Sequence, residues 1–245
     1  TVQAFQISGV VANLDIGLLF VFAVISLSVY GIVLAGWASN SKYPFLGGIR
    51  SSAQIISYEI AMGASVVPVF LVTQQLNLGK IVDYQIKNGW LALPHFGGGL
   101  AGIFTGLCLA FSFLVFLVAA FAETNRLPFD LPEAETELVG GYHTEYSGMR
   151  FALFFLGEYA AMISASAIMV TVFLGGWSLP LPWFNSLPMP EAWMGFALPS
   201  WLAGQPMPWW FGFVSVGVFL AKILVFIGFF IVIRWTIPRF KYDQL

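Results

Sequence analysis

Three carboxylates and one amine stand where the surrounding chain is oily. Glu59 lies in ISYEIAMG, Glu158 in FLGEYAAM and Lys222 in FLAKILVF, while Glu123 closes a fourth apolar run. A charge facing lipid costs about 2.5–3.5 kcal/mol on insertion scales, so these side chains should face a bundle interior, near partners or water. Burial in a low dielectric favours the neutral form of a carboxylic acid, and such acids can exchange protons. The chemistry open to this set is the relay of protons or ions. A second concentration of acids runs from Ala122 to Tyr146, AETNRLPFDLPEAETELVGGYHTEY. It holds Glu123, Asp130, Glu133, Glu135, Glu137 and Glu145, half of the chain's 12 acidic residues.

Two readings compete for the buried charges. Buried pairs can hold helices in register. The excess of acids over the single buried base, and their spread in depth, favour a relay. At 1.5 Å per residue, Glu59 is about 10 Å beyond Ser52, Glu158 about 14 Å beyond Met149, and Lys222 about 20 Å before Trp235. Within the acidic stretch, Asp130-Leu131-Pro132-Glu133 has the form of a helix start with a capping-box-like acid and a proline in the first turn. A short helix to about Val139 is expected, stopped by Gly140-Gly141. Glu133 and Glu137 would then share a face, a repulsive spacing. A solvated acidic surface is the ordinary fate of such a run. Leu127, Phe129, Leu131, Leu138, Val139, Tyr142 and Tyr146 between the acids indicate instead a loop built to be covered.

The elements that must position these groups follow from composition. Hydrophobic residues make up 59% of the 245 and charged residues 9%, with mean hydropathy +0.85. A soluble domain carries roughly 25% charged residues, so an all-α integral membrane protein is expected, a single polytopic domain over 1–245. Five runs reach the roughly 20 residues needed to span a bilayer: about 14–38, 52–72, 99–122, 149–176 and 209–235. Lys42, Arg50, Arg126, Arg150, Arg234, Arg239 and Lys241 fall on one side and only Lys80 and Lys87 on the other. The positive-inside rule then puts the N-terminus outside and the acidic loop 123–148 inside. The proline- and tryptophan-rich stretch 177–208 reads as an interfacial lid without chemistry. No initiator methionine or signal-peptide pattern is present, and a longer parent chain is expected.

Other chemistries find no support. Cys108 is alone and apolar in context, excluding a disulfide or a paired-cysteine metal site within the chain. No glycine-rich phosphate loop occurs. His95 and His143 fall on opposite sides and cannot share a metal. The net charge of -2 gives no sign of nucleic-acid binding. Internal repeats and interrupted half-helices, the marks of a stand-alone secondary transporter, are not evident.

Three stretches carry a specific resemblance: GWASNSKYPFLGGIRSSAQIISYE (Gly36 to Glu59), AETNRLPFDLPEAETELVGGYHTEYSGMRFALFFLGEY (Ala122 to Tyr159) and IRWTIPRFKYDQL (Ile233 to Leu245). They resemble the quinone-chamber membrane subunit of respiratory complex I, the H-type family of NADH-quinone oxidoreductase subunits, over essentially the whole chain. That resemblance implies an eight-helix fold of which the five spans here match the third to seventh. It implies a non-redox-centre subunit of a proton-translocating enzyme, forming part of the quinone chamber and of an acidic channel. Glu59, Glu123 and Glu158 match the family's channel acids, Glu133, Glu135, Glu137 and Glu145 its inner-loop acids, and Lys222 its buried lysine. Phe155 and Arg234 match positions near the quinone path, and Arg126 and Asp130 the loop motif ETNR-x-PFD. Quinone would be the substrate, with FMN and iron–sulfur clusters confined to partner subunits. Peripheral quinone-site subunits and antiporter-like membrane subunits would be the partners, in a bacterial plasma membrane or mitochondrial inner membrane. Two alternatives remain: the homologous component of an energy-converting hydrogenase or ferredoxin-linked photosynthetic complex, and a secondary transporter.

Overall fold

A computed structural model describes residues 12, 14–93, 99–126, 128–130, 140–178, 192–193, 196–197 and 210–238. The chain is helical: α1 (Gly17–Ser26), α2 (Ser28–Ala38), α3 (Lys42–Thr73), α4 (Leu78–Asn88), α5 (Gly99–Glu123), α6 (Met149–Phe173) and α7 (Trp210–Thr236), with a 3-10 turn at Gly141–His143. Two dipeptide strands, Ala192–Trp193 and Phe196–Ala197, pair antiparallel. Otherwise the tryptophan- and proline-rich stretch lies largely outside the described residues, as do Leu131–Val139 with Glu133, Glu135 and Glu137, and the expected short helix there. Among the described residues five segments are long and apolar enough to cross a membrane: Gly17–Ala38, Lys42–Thr73, Leu100–Glu123, Met149–Phe173 and Ser215–Thr236.

Connections alternate between two ends. One end carries the turn between α2 and α3, the end of α5 and the start of α6; we call it the acidic end. The other carries α4 and the end of α6. Phe116, Phe173, Met62, Val66, Val69 and Met169 fill the core, with Phe173 packed on the Phe113 and Phe116 rings at 5.5 Å each. Phe121 stacks on Phe230 at 4.0 Å between centroids, joining α5 to α7. Large apolar side chains such as Ile60, Leu71, Phe104, Phe111 and Val225 point outward, as a lipid-facing surface requires.

Helix α3 begins ten residues earlier than the apolar run suggests, at Lys42 rather than Ser52. Pro44 is harmless there because a first-turn N–H has no intrahelical acceptor. The Gly47-Gly48 pair serves close packing. A Cβ on Gly48 would stand 3.5 Å from Gly36 Cα, and one on Gly47 would stand 2.8 Å from Tyr142 N and 2.9 Å from Gly141 C. At 32 residues α3 is about 48 Å long, beyond the roughly 30 Å hydrocarbon core, so it tilts or protrudes. Glu59 therefore sits near its middle, about 25 Å from its start.

Helix α4 occupies a segment that the apolar pattern leaves as a connection between spans. It is amphipathic, with Ile81, Val82 and Gln85 buried and Lys80, Asp83 and Lys87 exposed. Asn77 caps it by accepting from the N–H groups of Gly79 (2.9 Å) and Lys80 (3.2 Å), and Gly89 ends it at φ 94°.

Gln54 of α3 fixes the end of α5. Its Nε2 donates to Ala122 O at 2.9 Å and Phe129 O at 2.8 Å, closing the segment that follows the helix. Asn125, at φ 49°, turns the chain and donates through Nδ2 to Ser51 Oγ at 3.2 Å. Residues 140–146 return onto the same region: Tyr142 is 2% exposed, and Tyr146 donates its hydroxyl to Ala35 O at 2.8 Å. These two aromatic residues of the acidic stretch are covered by the chain itself.

Alanine forms helix better than glycine by about 1 kcal/mol. Gly47→Ala nevertheless costs about 1–3 kcal/mol, because the neighbour is backbone and cannot yield. Gly63→Ala, with nothing within 4 Å of the new Cβ, stabilises by up to about 1 kcal/mol. Thermal denaturation of the two variants should give shifts of opposite sign. Gln54→Leu removes one donor from Ala122 O, which keeps the Asn125 N–H, and the Gln54 donor from Phe129 O, and should lower stability by about 1–3 kcal/mol in the same measurement.

Candidate functional site

The end of α5 delivers two opposite charges within four residues. Glu123 is the last helical residue, and the reversal at Thr124-Asn125 sends Arg126 back toward α6. Gln54 and Ser51 hold that reversal, a role the sequence did not announce. Their signal was a run of small polar side chains on one stretch of α3, readable only once α3 is known to extend below Ser52.

Arg126 Nη2 lies 3.5 Å from Glu158 Oε2, with both side chains 12% exposed. The guanidinium also stands over the Tyr159 ring, 4.5 Å from its centroid. Tyr142 donates its hydroxyl to Glu158 Oε1 at 3.1 Å. Glu158 is thus held between a cation and a phenol. Such a pair adds little net stability, but removing one partner strands a buried charge at a cost of about 3–5 kcal/mol. The set is not saturated. Arg126 Nε and Nη2, Glu123 Oε2 and Gln54 Oε1 are buried without a hydrogen-bond partner among the described residues.

Glu59, on the middle of α3, meets the Ser26 hydroxyl of α1. Ser26 Oγ also lies 2.9 Å from Phe22 O. One hydroxyl has one proton, so it donates to the carbonyl or to the carboxylate.

Two cavities flank the arrangement. One of about 280 Å³ is lined by Ser28, Gly31, Ile55, Tyr142, Glu123 and Glu158. The other, about 650 Å³, runs between α6 and α7 along Arg126, Tyr159, Ile227, Phe230, Arg234 and Trp235. Arg126 stands between them, touching an acid of the first and lining the second.

The sequence-derived set therefore divides. Glu123, Glu158 and Arg126 come together, Glu59 meets Ser26, and Arg234 shares a groove with Arg126. Asp130 is buried (7% exposed) at the acidic end. Glu145 is exposed, and Phe155 packs on Phe151 (4.7 Å) and His143 (6.1 Å), lining neither cavity. Lys222 is elsewhere: its Nζ donates to Leu174 O (2.7 Å), Gly176 O (2.8 Å) and Ser178 O, beneath the Trp90 ring at 4.3 Å. Glu133, Glu135 and Glu137 lie outside the described residues. Among the described residues no three His, Cys, Asp or Glu side chains converge as metal ligands. The arrangement can hold, share and pass a proton among carboxylates, a phenol and a hydroxyl. Its grooved arginine edge can take a polar head with an apolar tail.

Known proteins are similar to this chain in sequence. The chain is 50% identical over 236 residues to NADH-quinone oxidoreductase subunit 8 of Rhodothermus marinus, covering 96% of this chain and 62% of that protein. It is 46% identical over 241 residues to the H-type NADH-quinone oxidoreductase subunit of Rhodospirillum rubrum, covering 98% and 60%. The H-type subunit of Rickettsia bellii is 49% identical over 236 residues, covering 96% and 59%. The chain thus spans about three fifths of the length of these relatives. The family model described as NADH dehydrogenase matches residues 1–245. With five membrane-length helices and a match from end to end, this multi-pass membrane chain belongs to the NADH dehydrogenase family.

Proposed function

We propose that this chain is part of the H-type membrane subunit of a proton-pumping NADH:quinone oxidoreductase, complex I. It contributes to the quinone chamber and to the acidic channel that couples quinone reduction to proton translocation. The observation that carries this reading is Glu158, held by Arg126 and Tyr142 on the wall of one cavity while the same arginine lines the next. The groove between α6 and α7, with Arg126 and Arg234 at its edge, supplies a polar rim over apolar walls. That composition suits an amphiphile such as a quinone. Phe155 and Asp130 belong to the same end of the molecule.

In this reading quinone chemistry alters the charge beside Arg126. Its attraction for Glu158 changes, and the proton affinities of Glu158, Glu123 and Glu59 follow in turn. Glu133, Glu135, Glu137 and Glu145 form the mouth of the path. The acidic end faces the cytoplasm or matrix. Flavin and iron–sulfur clusters reside in partner subunits, and antiporter-like membrane subunits receive the charge.

Glu158→Gln should lower quinone-reductase turnover and pumping together by about tenfold or more, both expressed per assembled complex. Unchanged turnover in an assembled complex would remove Glu158 from the mechanism. Arg126→Gln alone should impair assembly, since it leaves a buried carboxylate unmatched. Adding Glu158→Gln should restore it, because the neutral pair strands no charge. Immunoblots of native gels, run on both single variants and the double variant, read this outcome directly.

A further inference from the structure

At the close of α6 the carbonyls belong to buried or half-buried residues. Each of them from Val170 to Gly176 has a donor. Val170 O accepts from the N–H groups of Leu174 (3.1 Å) and Gly176 (2.9 Å). Thr171 O and Val172 O accept from Gln85 Nε2 at 3.0 Å each. Phe173 O accepts from Ala92 N at 3.0 Å, and Gly175 O from Ser178 N at 2.9 Å. Leu174 O and Gly176 O, with Ser178 O beyond, take the three protons of the Lys222 ammonium. Gln85 is spent as well: its Oε1 accepts from Gly175 N at 2.9 Å and Leu91 N at 3.4 Å. Trp90 covers the ammonium with its ring and donates Nε1 to Ser178 Oγ at 3.2 Å.

We infer that Lys222, Gln85 and Trp90 form a positively charged seal at the close of α6, so that charge gathered at Glu123 and Glu158 does not leave along that helix. Three features support it. Backbone groups in a bilayer must find partners inside the protein, and here the carbonyls from Val170 to Gly176 have found them. A fixed ammonium is an electrostatic barrier to a proton or other cation, and it also complements the negative end of α6. From Glu158 to Phe173 the helix rises about 22 Å, past the buried Met162, Ala165, Met169 and Val172. Ser166, on the same stretch, turns its hydroxyl back to Met162 O at 2.8 Å. Lys222 is then a positioning residue rather than a station on the path.

Only the leak measurement rests on the proposed function. The assembled complex bearing Lys222→Met is reconstituted into liposomes with an internal pH dye, and an imposed pH gradient is followed without NADH. The seal predicts several-fold faster collapse than in the parent, quinone-reductase turnover within about twofold of the parent, and fewer protons pumped per turnover. Unchanged collapse overturns the seal, and so does joint loss of turnover and pumping without leak, which would make Lys222 a relay. A second arm uses the unmodified complex and holds even where the variant does not assemble. Hydrogen exchange at the amides of Leu91, Gly175, Gly176 and Ser178 should be as slow as in the middle of α6; exchange at loop rates overturns the seal. A parent complex with no quinone-reductase activity would defeat the proposed function and leave the exchange result standing.

Discussion

Arg126 meets Glu158 only because the chain reverses within two residues of the end of α5. That reversal is held by side chains of α3, and α3 can come near enough only because Gly47 and Gly48 present no side chain to Gly141 and Gly36. The ion contact is thus the last link of a packing sequence that begins with glycines about ten residues away from any charge in the site. A methyl group at Gly47 would be felt at Tyr142, and through its hydroxyl at Glu158. Stability and charge placement share the same atoms here.

The two ends of the bundle solve opposite problems. At the α4 end the carbonyls at the close of α6 are matched one by one, and the lysine spends all three protons on them. At the acidic end, Glu123, Arg126 and Gln54 keep buried polar atoms unmatched among the described residues. Unmatched buried groups are costly, about 1–3 kcal/mol each and more when charged. Their concentration beside two cavities is what a site that binds or rearranges requires, whereas saturation at the other end favours permanence.

Much of this was legible. Apolar run length gave five spans, because bilayer thickness imposes a length that few other constraints mimic. Glu59, Glu123 and Glu158 stood out because lipid makes a charge conspicuous. The family resemblance read from ETNRLPFD and GGYHTEY is borne out by the match over the whole chain. What sequence did not disclose was pairwise. Gly47-Gly48 did not stand out, since a glycine pair reads the same whether it bends a chain or admits a neighbour. Helix α4 was hidden because a short amphipathic helix with one capping asparagine carries little signal beside long apolar spans. Lys222 looked like a partner for acids; backbone carbonyls, its actual acceptors, have no letter in a sequence.

The lysine's acceptors also impose an order of assembly. Leu174, Gly176 and Ser178 leave the ribosome well before Lys222, and Gln85 and Trp90 precede both. While α7 is still being made, three carbonyls at the close of α6 lack the ammonium that will satisfy them. They must rely on water or on the insertion machinery until then. The arrival of α7 both adds a helix and finishes the one before it. A nascent chain cut short within α7, ahead of its lysine, would hold a membrane segment whose end is chemically incomplete, a mark by which quality control can tell it from the finished protein.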